Sequence, residues 1–171
     1  MVKTRTAPDD SSFALLLVQL GFHAAARYAA ALEPLGLEPR HAGLLRRLAS
    51  NEGVSQQALG RLLGINATRM VFLVDDLEQL GLVERRKNPR DRRSHALFLT
   101  AKGRTALDQS AKAGHANEEQ LGAGLTAAER KQLARLLTKV ATEQGITIGG
   151  LPGPPPGRGP VRSDVVREVV R

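Results

Sequence analysis

The chain of 171 residues contains no cysteine and no tryptophan, and its aromatic residues are four Phe and one Tyr. The absence of thiols excludes disulfide bonds, thiol-based oxidation sensing and zinc sites built from cysteine. The four histidines show no short paired spacing of the kind that a helix-borne metal site needs. His115 with Glu118 and Glu119 is the best local candidate, but a solvated helix face explains these residues more simply. We therefore expect neither a metal ion nor a cofactor.

The sequence also lacks the motifs of common enzymes and the segments that direct a chain to a membrane. It has no glycine-rich phosphate loop after a strand, no G-x-S-x-G and no H-E-x-x-H, so we expect a protein that is not an enzyme. No run of about eighteen apolar residues is recognised. The N-terminus MVKTRTAPDD has no apolar signal-peptide core. These absences favour a cytoplasmic protein with no membrane partner.

Positive charge is what the chain has in excess. Lys and Arg number 25 against 17 Asp and Glu, which gives a formal net charge of +8 and a sequence pI near 10.8. This balance indicates a polyanionic partner such as double-stranded DNA. The length suits one domain, or a compact domain with a tail.

Residues 81–103 concentrate this charge in a predicted two-stranded β-ribbon. Apolar residues form its arms and a turn pair joins them: Leu82, Val83, Leu97, Leu99, Asn88 and Pro89. Against Glu84 and Asp91, the ribbon carries six cations: Arg85, Arg86, Lys87, Arg90, Arg92 and Arg93. Such a tip suits phosphate oxygens or a narrow minor groove. An ordinary solvated basic hairpin remains the alternative, because clusters of Lys and Arg have low specificity.

Residues 55–80 predict a helix-turn-helix. Ser55 is a good N-cap, Gly64 fits the left-handed position that ends a helix, and Asn66 can cap the next helix. The first helix has an apolar stripe of Ala58, Leu59, Leu62 and Leu63. The second buries one face through Met70, Leu73, Val74, Leu77 and Leu80. Its outward face carries Thr68, Phe72, Asp75 and Gln79, flanked by Arg69, Val71 and Asp76.

The outward face of this second helix has two unusual features. Asp75 and Asp76 would repel DNA phosphates, so we expect them to lift away from the backbone or to pair with Arg61 or Arg69. Phe72 cannot donate a hydrogen bond. Its ring can contact a thymine methyl group, although packing against a neighbouring helix is the expectation that we prefer.

The remaining segments predict a helical scaffold. A long helix covers about residues 10–32 and is broken by Pro34 and Gly36, and a second runs from Pro39 to about Ser50 with Ala42, Leu45, Leu48 and Ala49 toward the core. Thr100 can cap a helix to about Leu121, which Gly103 and Gly114 should weaken. Thr126 with Glu129 forms a capping box before an apolar stripe of Leu133, Leu136, Leu137 and Val140. That stripe needs a partner.

The order of these features resembles the MarR family of winged-helix regulators. The resemblance lies in a helix-turn-helix, then LVERR, then DRRSHALFLTAKG. The family's L-x-x-x-G-L-[VI]-x-R junction is matched by Leu77, Gly81, Leu82 and Arg85, and its wing motif by Asp91, Arg93, Leu99, Thr100 and Gly103. The resemblance covers roughly residues 11–144. It implies a homodimer that binds a pseudo-palindromic operator, usually as a repressor that a small ligand releases.

The resemblance also implies a fold and two sets of site residues. The fold class is mainly α with a small β-wing, a winged helix-turn-helix whose N- and C-terminal helices form a dimerisation region. Arg93 would enter the minor groove, with Asp91 holding the loop or simply stabilising a turn. The DNA-binding candidates are Ser55, Gln56, Asn66, Thr68, Arg69, Phe72, Arg85, Arg86, Arg90, Asp91, Arg92 and Arg93. For an aromatic or anionic effector the candidates are His23, Arg27, Tyr28, His41 and Arg46, each of which also has an ordinary structural explanation.

The expected domain organisation places a winged-helix domain between two irregular ends. Residues 1–10 form a flexible N-terminus and residues 11–144 the domain, with a DNA-binding lobe at about 37–100 and dimerisation helices at 11–33 and 101–144. Residues 145–160 are a Pro/Gly-rich linker, and 161–171 are a short segment with a helical pattern. The alternative function is a non-specific or architectural DNA-binding module, or a protein-interaction module, without an effector. The acidic pair favours that alternative slightly, and the basic wing favours the regulator more.

Overall fold

The computed structural model describes residues 12–88 and 91–146; of Asn88 and of residues 91–94 it describes the backbone only. The expectations for residues 1–10, for 161–171 and for nearly all of the 145–160 linker concern parts of the chain outside these ranges. Six helices and two strands follow one another: α1 Phe13–Leu32, α2 Pro39–Ala49, α3 Gln56–Leu63, α4 Ala67–Gln79, β1 Val83–Asn88, β2 Asp91–Leu99, α5 Ala101–Leu121 and α6 Ala127–Glu143. A single 3-10 turn, Glu33–Leu35, joins α1 to α2.

The helix boundaries lie where capping residues and helix breakers place them. α1 gives way to the turn that contains Pro34, and Gly36 then adopts the left-handed conformation with φ 66°. Pro39 occupies the first turn of α2. The Thr100 hydroxyl accepts the Gly103 N–H at the start of α5, and Thr126 with Glu129 forms the predicted capping box of α6. These predictions from local sequence are confirmed.

The two strands form an antiparallel ribbon whose register runs from Val83 opposite Leu99 to Lys87 opposite His95, with an irregularity at Lys87 and Asn88. A third segment, unforeseen in the sequence, pairs with β2. The Gly53 N–H donates to the Leu97 carbonyl at 2.9 Å, and the Leu97 N–H donates to the Val54 carbonyl at 3.0 Å. The ribbon is therefore tied to the approach to α3 as well as to its own hairpin partner.

The buried core belongs almost entirely to the lobe formed by α2, α3, α4 and the ribbon. Its largest fully buried side chains are Leu32, Leu44, Leu45, Leu48, Leu59, Met70, Val74, Leu77 and Leu97. The predicted apolar face of α4 is confirmed, with Leu80 only partly buried. The fold class, mainly helical with a two-stranded wing, is confirmed as well.

Two expectations about packing are wrong. Leu62 is 55% exposed, because α3 turns only one narrow face to the core, through Leu59 and Gly60. Ala49 is exposed at the end of α2, while Leu44 is buried instead. The structure adds a second role for Gly103 that the sequence did not predict, since a Cβ there would lie 2.0 Å from the Leu82 carbonyl oxygen. Glycine is thus what lets α5 approach the backbone before β1.

Helices α1 and α5 form a layer beside the lobe. α1 packs on α5 and α2, and α5 packs on α2 and β2. In the described part of the chain α6 packs extensively on no other element. Several apolar side chains of α1 and α6 are consequently exposed: Phe13, Leu15, Leu16, Leu17, Val18, Leu20, Phe22, Leu133, Leu136, Leu137 and Val140.

The exposed apolar side chains of α1 also bear on whether this helix could cross a membrane. Residues Phe13–Leu35 are long and apolar enough to cross a membrane, with a mean hydropathy of 1.3 over a window that is 6% buried. The segment is nevertheless not an uninterrupted apolar run, because Gln19, His23 and Arg27 divide it. Membrane spans, core helices of soluble proteins and N-terminal signal sequences share this length and composition, so one such helix is weak evidence for a membrane span.

Candidate nucleic-acid interface and effector crevice

Helices α3 and α4 form the predicted helix-turn-helix, and side-chain caps define both starts. The Ser55 hydroxyl accepts the Ala58 N–H at 3.2 Å, and the Asn66 side chain accepts the Arg69 N–H at 2.8 Å. Between the helices Gly64 is left-handed with φ 65°. Because both cap oxygens are engaged by the backbone, Ser55 and Asn66 serve first to orient their helices.

One face of α4 lies in the core and the opposite face is open. Met70, Leu73 and Val74 are buried, whereas Thr68, Arg69 and Phe72 are exposed. Phe72 is 64% exposed, so the expectation that its ring packs against a neighbouring helix is wrong. The ring points away because the four buried positions of α4 lie on the other side of the helix. The N-terminal half of α4 thus presents a hydroxyl, a cation and an aromatic ring together.

The two carboxylates of α4 are paired, but with other cations than expected. Asp75 accepts from Arg85 of β1, and Asp76 lies 3.7 Å from both Arg40 Nη2 and His41 Nε2. Among the described ion pairs, neither Arg61 nor Arg69 supplies the partner, and both are exposed. Internal pairing lowers the electrostatic cost of bringing this face toward phosphates.

Arg85 is the centre of a polar cluster that joins the wing to the helix-turn-helix. Its guanidinium bonds to Asp75 and Glu78 of α4 and donates to Gln56 Oε1 of α3 at 3.0 Å. The Arg85 side chain is mostly buried. An arginine with three internal partners has few donors left, so we assign Arg85 and Gln56 to the orientation of the wing rather than to direct DNA contact.

The described part of the wing carries further cations along β1. Arg86 is exposed, bonds to Glu84 Oε1 and lies with its guanidinium carbon 4.5 Å from the centre of the Phe98 ring. Lys87 is exposed beside it. Of the predicted wing residues, Arg90 lies outside the described residues, and the side chains of Asp91, Arg92 and Arg93 are likewise outside what the structure describes, although their backbone belongs to β2.

A crevice of about 550 Å³ opens between α1, α2 and α5. Its wall is mostly apolar, with small residues such as Ala24, Ala42 and Gly114. Polar groups project from each helix: Tyr28, Arg46, Ser110, His115, Asn117 and Glu118. Burial raises the pKa of the Tyr28 phenol, whose hydroxyl lies 3.5 Å from the Ser110 carbonyl. The phenol is therefore a neutral hydrogen-bond donor at physiological pH.

The crevice contains two of the five predicted effector residues. Tyr28 and Arg46 line it, and Arg27 lies at its margin, where its Nε donates to Asn117 Oδ1 at 3.3 Å. His23 is exposed and does not line it, while His41 is buried in the α2 capping box, with its Nδ1 accepting the Glu38 N–H at 3.2 Å. His23 lies near the middle of α1, one residue before the crevice residue Ala24, and His41 lies 3.7 Å from Asp76 of α4.

Sequence reasoning missed the contribution of α5 to the crevice. His115, Asn117 and Glu118 lie on the face of α5 that packs near Tyr28, where a Cβ at Gly114 would stand 3.7 Å from the phenol ring. The small residues Ala111 and Gly114 at i and i+3 were the signal that this face lies close to another helix. Among the described residues, no group of three or more His, Asp or Glu side chains could hold a metal ion.

Comparison with known proteins agrees with this architecture. A family model described as MarR family matches residues 35–94. The chain is 30% identical over 135 residues to the HTH-type transcriptional repressor Rv2887 of Mycobacterium tuberculosis, a match that covers 79% of this chain and 97% of the relative.

Solved structures of related proteins have the same fold. The structure of Rv2887 in complex with salicylic acid has a TM-score of 0.61 at 30% identity, covering 78% of this chain and 99% of that one. The transcriptional repressor CouR bound to a 23-mer DNA duplex has a TM-score of 0.69 at 28% identity, covering 82% and 99%. CouR of Rhodococcus jostii RHA1 bound to p-coumaroyl-CoA has a TM-score of 0.63 at 29% identity, covering 81% and 96%. With the winged helix-turn-helix in place and its relatives matched over nearly their whole length, the chain belongs to the MarR family of transcriptional regulators.

Proposed function

We propose that this protein is a homodimeric, sequence-specific repressor that binds a pseudo-palindromic operator and leaves it when a small ligand occupies the crevice. The observation that carries the proposal is the open face of α4, with Thr68, Arg69 and Phe72 exposed beside an arginine-rich wing. A recognition helix reads bases mainly with its N-terminal turns, where these three residues lie. The relatives named as repressors, and the CouR complex with DNA, support it.

Within this proposal the DNA-binding residues divide into two groups. Thr68, Arg69 and Phe72 face the major groove, and Arg86, Arg90, Arg92 and Arg93 of the wing face phosphates or the minor groove, with Asp91 positioning the wing. Ser55, Gln56, Asn66 and Arg85 hold these groups in place through their internal bonds. The first group determines sequence preference, and the cations of the second supply most of the salt-dependent affinity.

The exposed apolar faces of α1 and α6 are the proposed dimer surface. Leu133, Leu136, Leu137 and Val140 are each 40–45% exposed although they recur at helical spacing. A second copy of the chain would cover them and set the distance of about 34 to 36 Å that two recognition helices need to enter successive major grooves. The same surface accounts for the hydropathy of Phe13–Leu35 without a membrane partner.

The crevice suits a small aromatic acid or phenol. Arg46 offers a cation, Tyr28 a neutral donor, and the alanines and glycines leave a flat apolar gap between α1, α2 and α5. The related structures with salicylic acid and with p-coumaroyl-CoA support this ligand class. A ligand that prefers the conformation unable to fit DNA lowers operator affinity by its differential affinity for the two states. Function then rests on binding rather than on catalysis, in the cytoplasm, where the operator lies.

The first experiment is selection of bound sites from a random double-stranded DNA pool at near-physiological salt. The proposal expects an inverted repeat with half-sites about one helical turn apart. The variant Arg93→Ala should then bind that operator more weakly and show a salt slope reduced by about one unit for each phosphate that the wing no longer neutralises. Recovery of no motif, with binding that collapses steeply as salt rises, would favour an architectural DNA-binding protein instead.

A second experiment tests the crevice with salicylate and benzoate as probes. Titration into the protein–operator complex should release the operator, and Arg46→Met should raise the concentration required by about tenfold through loss of a charge-assisted bond. The matched control is Arg61→Met, which removes one exposed cation of α3 remote from the crevice. Equal release from Arg46→Met and the parent protein would place the anion elsewhere.

A further inference from the structure

The aromatic ring of Phe72 is exposed at the sixth position of α4. A phenylalanine side chain that is 64% exposed is unfavourable on a solvated helix face, because its apolar surface stays in contact with water. The adjacent Val71 is 41% exposed and extends the apolar area. The buried face of the same helix is complete without either residue, so neither contributes to the core.

The surroundings of Phe72 suit a DNA groove better than a protein partner. Thr68 and Arg69 lie four and three residues before it, on the same face and one helical turn away. Toward the other end of α4, Asp75 is paired with Arg85 and Asp76 lies beside Arg40. The ring is therefore flanked by a hydroxyl and an exposed guanidinium on one side and by neutralised carboxylates on the other.

A phenyl ring distinguishes bases in only one way. It neither donates nor accepts a conventional hydrogen bond, and the major-groove edge of DNA offers one apolar group, the C5-methyl group of thymine. We propose that Phe72 is a specificity-determining residue that reads a thymine in each half-site through this methyl group. The inference rests on the operator binding proposed above, and it adds the base and the atom that this position recognises.

The experiment replaces thymine by deoxyuridine at single positions of the selected operator. Uracil keeps the base pair and all hydrogen-bonding groups and lacks only the methyl group. We expect an effect at one symmetry-related pair of positions. Substitution in one half-site should weaken binding of the parent protein about fourfold, the fold-change expected for one buried methyl group. Substitution in both half-sites should weaken it about 15-fold.

The variants identify the side chain that senses the methyl group. Phe72→Ala should bind the thymine operator more weakly than the parent protein does. Its affinities for the thymine and uracil operators should be equal. When site selection is repeated with this variant, that position should show no preference for thymine. Val71→Ala is the matched control, another exposed apolar residue one position away, and it should keep the sensitivity to uracil. Thermal melting of Phe72→Ala should match the parent, because the ring lies outside the core.

Three results separate the alternatives. An unchanged affinity of the parent for every uracil-substituted operator overturns the assignment, and so does a uracil effect that persists fully in Phe72→Ala. A Phe72→Ala protein that binds the operator as tightly as the parent also overturns it, and would assign the ring to a protein surface. If no operator is recovered at all, the proposed repressor function fails, and that failure is distinguishable because it precedes any comparison of thymine with uracil.

Discussion

The DNA-binding lobe and the helices α1 and α6 use the same leucine-rich composition in opposite ways. In the lobe, Leu45, Leu59 and Leu77 are fully buried, and so are apolar residues of both strands. In the outer helices the corresponding residues are exposed, with Leu20 at 57% and Leu136 at 44%. The difference shows that the lobe completes its core within one chain, whereas the outer helices have the pattern of half an interface.

The charged groups show the same contrast. In the lobe, Glu52 accepts the Leu99 N–H at 2.8 Å and both of its oxygens lie within 2.9 Å of Arg104, so one carboxylate links the ribbon to α5. In α6 the bonds of Glu129 are local, to the N–H and hydroxyl of its own cap residue Thr126. The contacts of Glu52 thus fix tertiary structure, whereas those of Glu129 fix the start of its own helix.

The largest effect is expected when the exposed apolar stripe of α6 is made polar. The double variant Leu136→Glu with Leu137→Glu should abolish dimerisation, because burying two unpaired carboxylates costs several kcal/mol each. Operator affinity should fall by at least about a thousandfold as the second half-site is lost. Light scattering coupled to size exclusion measures the mass, and fluorescence anisotropy the affinity.

A matched control adds the same charge to α6 and leaves its apolar stripe unchanged. Gln132→Glu with Thr138→Glu adds the same two negative charges to exposed polar positions of α6, and it should remain dimeric. If the leucine variant also stays dimeric and binds with full affinity, the interface lies elsewhere and the contrast between lobe and helices is wrong.

A smaller effect is expected at the junction of the two regions. Gly103→Ala would place a Cβ 2.0 Å from the Leu82 carbonyl oxygen, and the backbone shift that relieves this overlap should destabilise the protein by about 2 to 3 kcal/mol. Gly114→Ala in the same helix meets only the Tyr28 ring at 3.7 Å, so it should gain up to about 1 kcal/mol of helix propensity. Chemical denaturation measures both values. Equal changes in the two variants would show that helix propensity alone matters.

Local sequence predicts well where the helices begin, because the capping signals are local. Ser55, Asn66, Thr100 and Thr126 cap the helices that follow them, as their positions in the sequence predict. Period-two and helical spacing also place the buried residues of β2 and α4. The outward position of Thr68 and Arg69 follows from the same periodicity, and it is what makes the candidate interface predictable.

The features of the site that escape prediction depend on residues distant in sequence. Arg85 resembles any basic wing residue until the fold brings it to Asp75, ten positions earlier, and to Gln56, twenty-nine positions earlier. The crevice requires α1 and α5, whose facing residues lie more than 80 positions apart, and His115 is missed for that reason. Spacing along one helix carries no information about which cation or cavity another element will bring to it.

Glu52 links the β-ribbon to α5, and substitution of this residue should weaken the link. The Arg104 guanidinium holds the pKa of this carboxyl below its ordinary value, so its contribution to stability is full above the unfolded pKa of about 4.3 and is lost as the pH falls through the folded pKa. Glu52→Gln should cost about 1 kcal/mol at neutral pH and progressively less as the pH falls below the unfolded pKa. Glu84→Gln, which removes a more exposed pair with Arg86, is the control. A difference independent of pH would mean that the charge of Glu52 contributes nothing, and would contradict this prediction.

The smallest effect tests the contact between α2 and α4 inside the lobe. Burial lowers the pKa of His41, with Arg40 acting in the same direction and Glu38 and Asp76 opposing. The unfolded chain therefore takes up the proton first, and stability should decline as the pH falls below about 6.5. His41→Gln keeps an acceptor for the capping box but does not titrate, so its melting temperature should fall less between pH 7.5 and 5.5. If the parent instead becomes more stable on acidification relative to the variant, attraction to Asp76 at 3.7 Å outweighs burial, and α2 holds the recognition helix by charge rather than by packing.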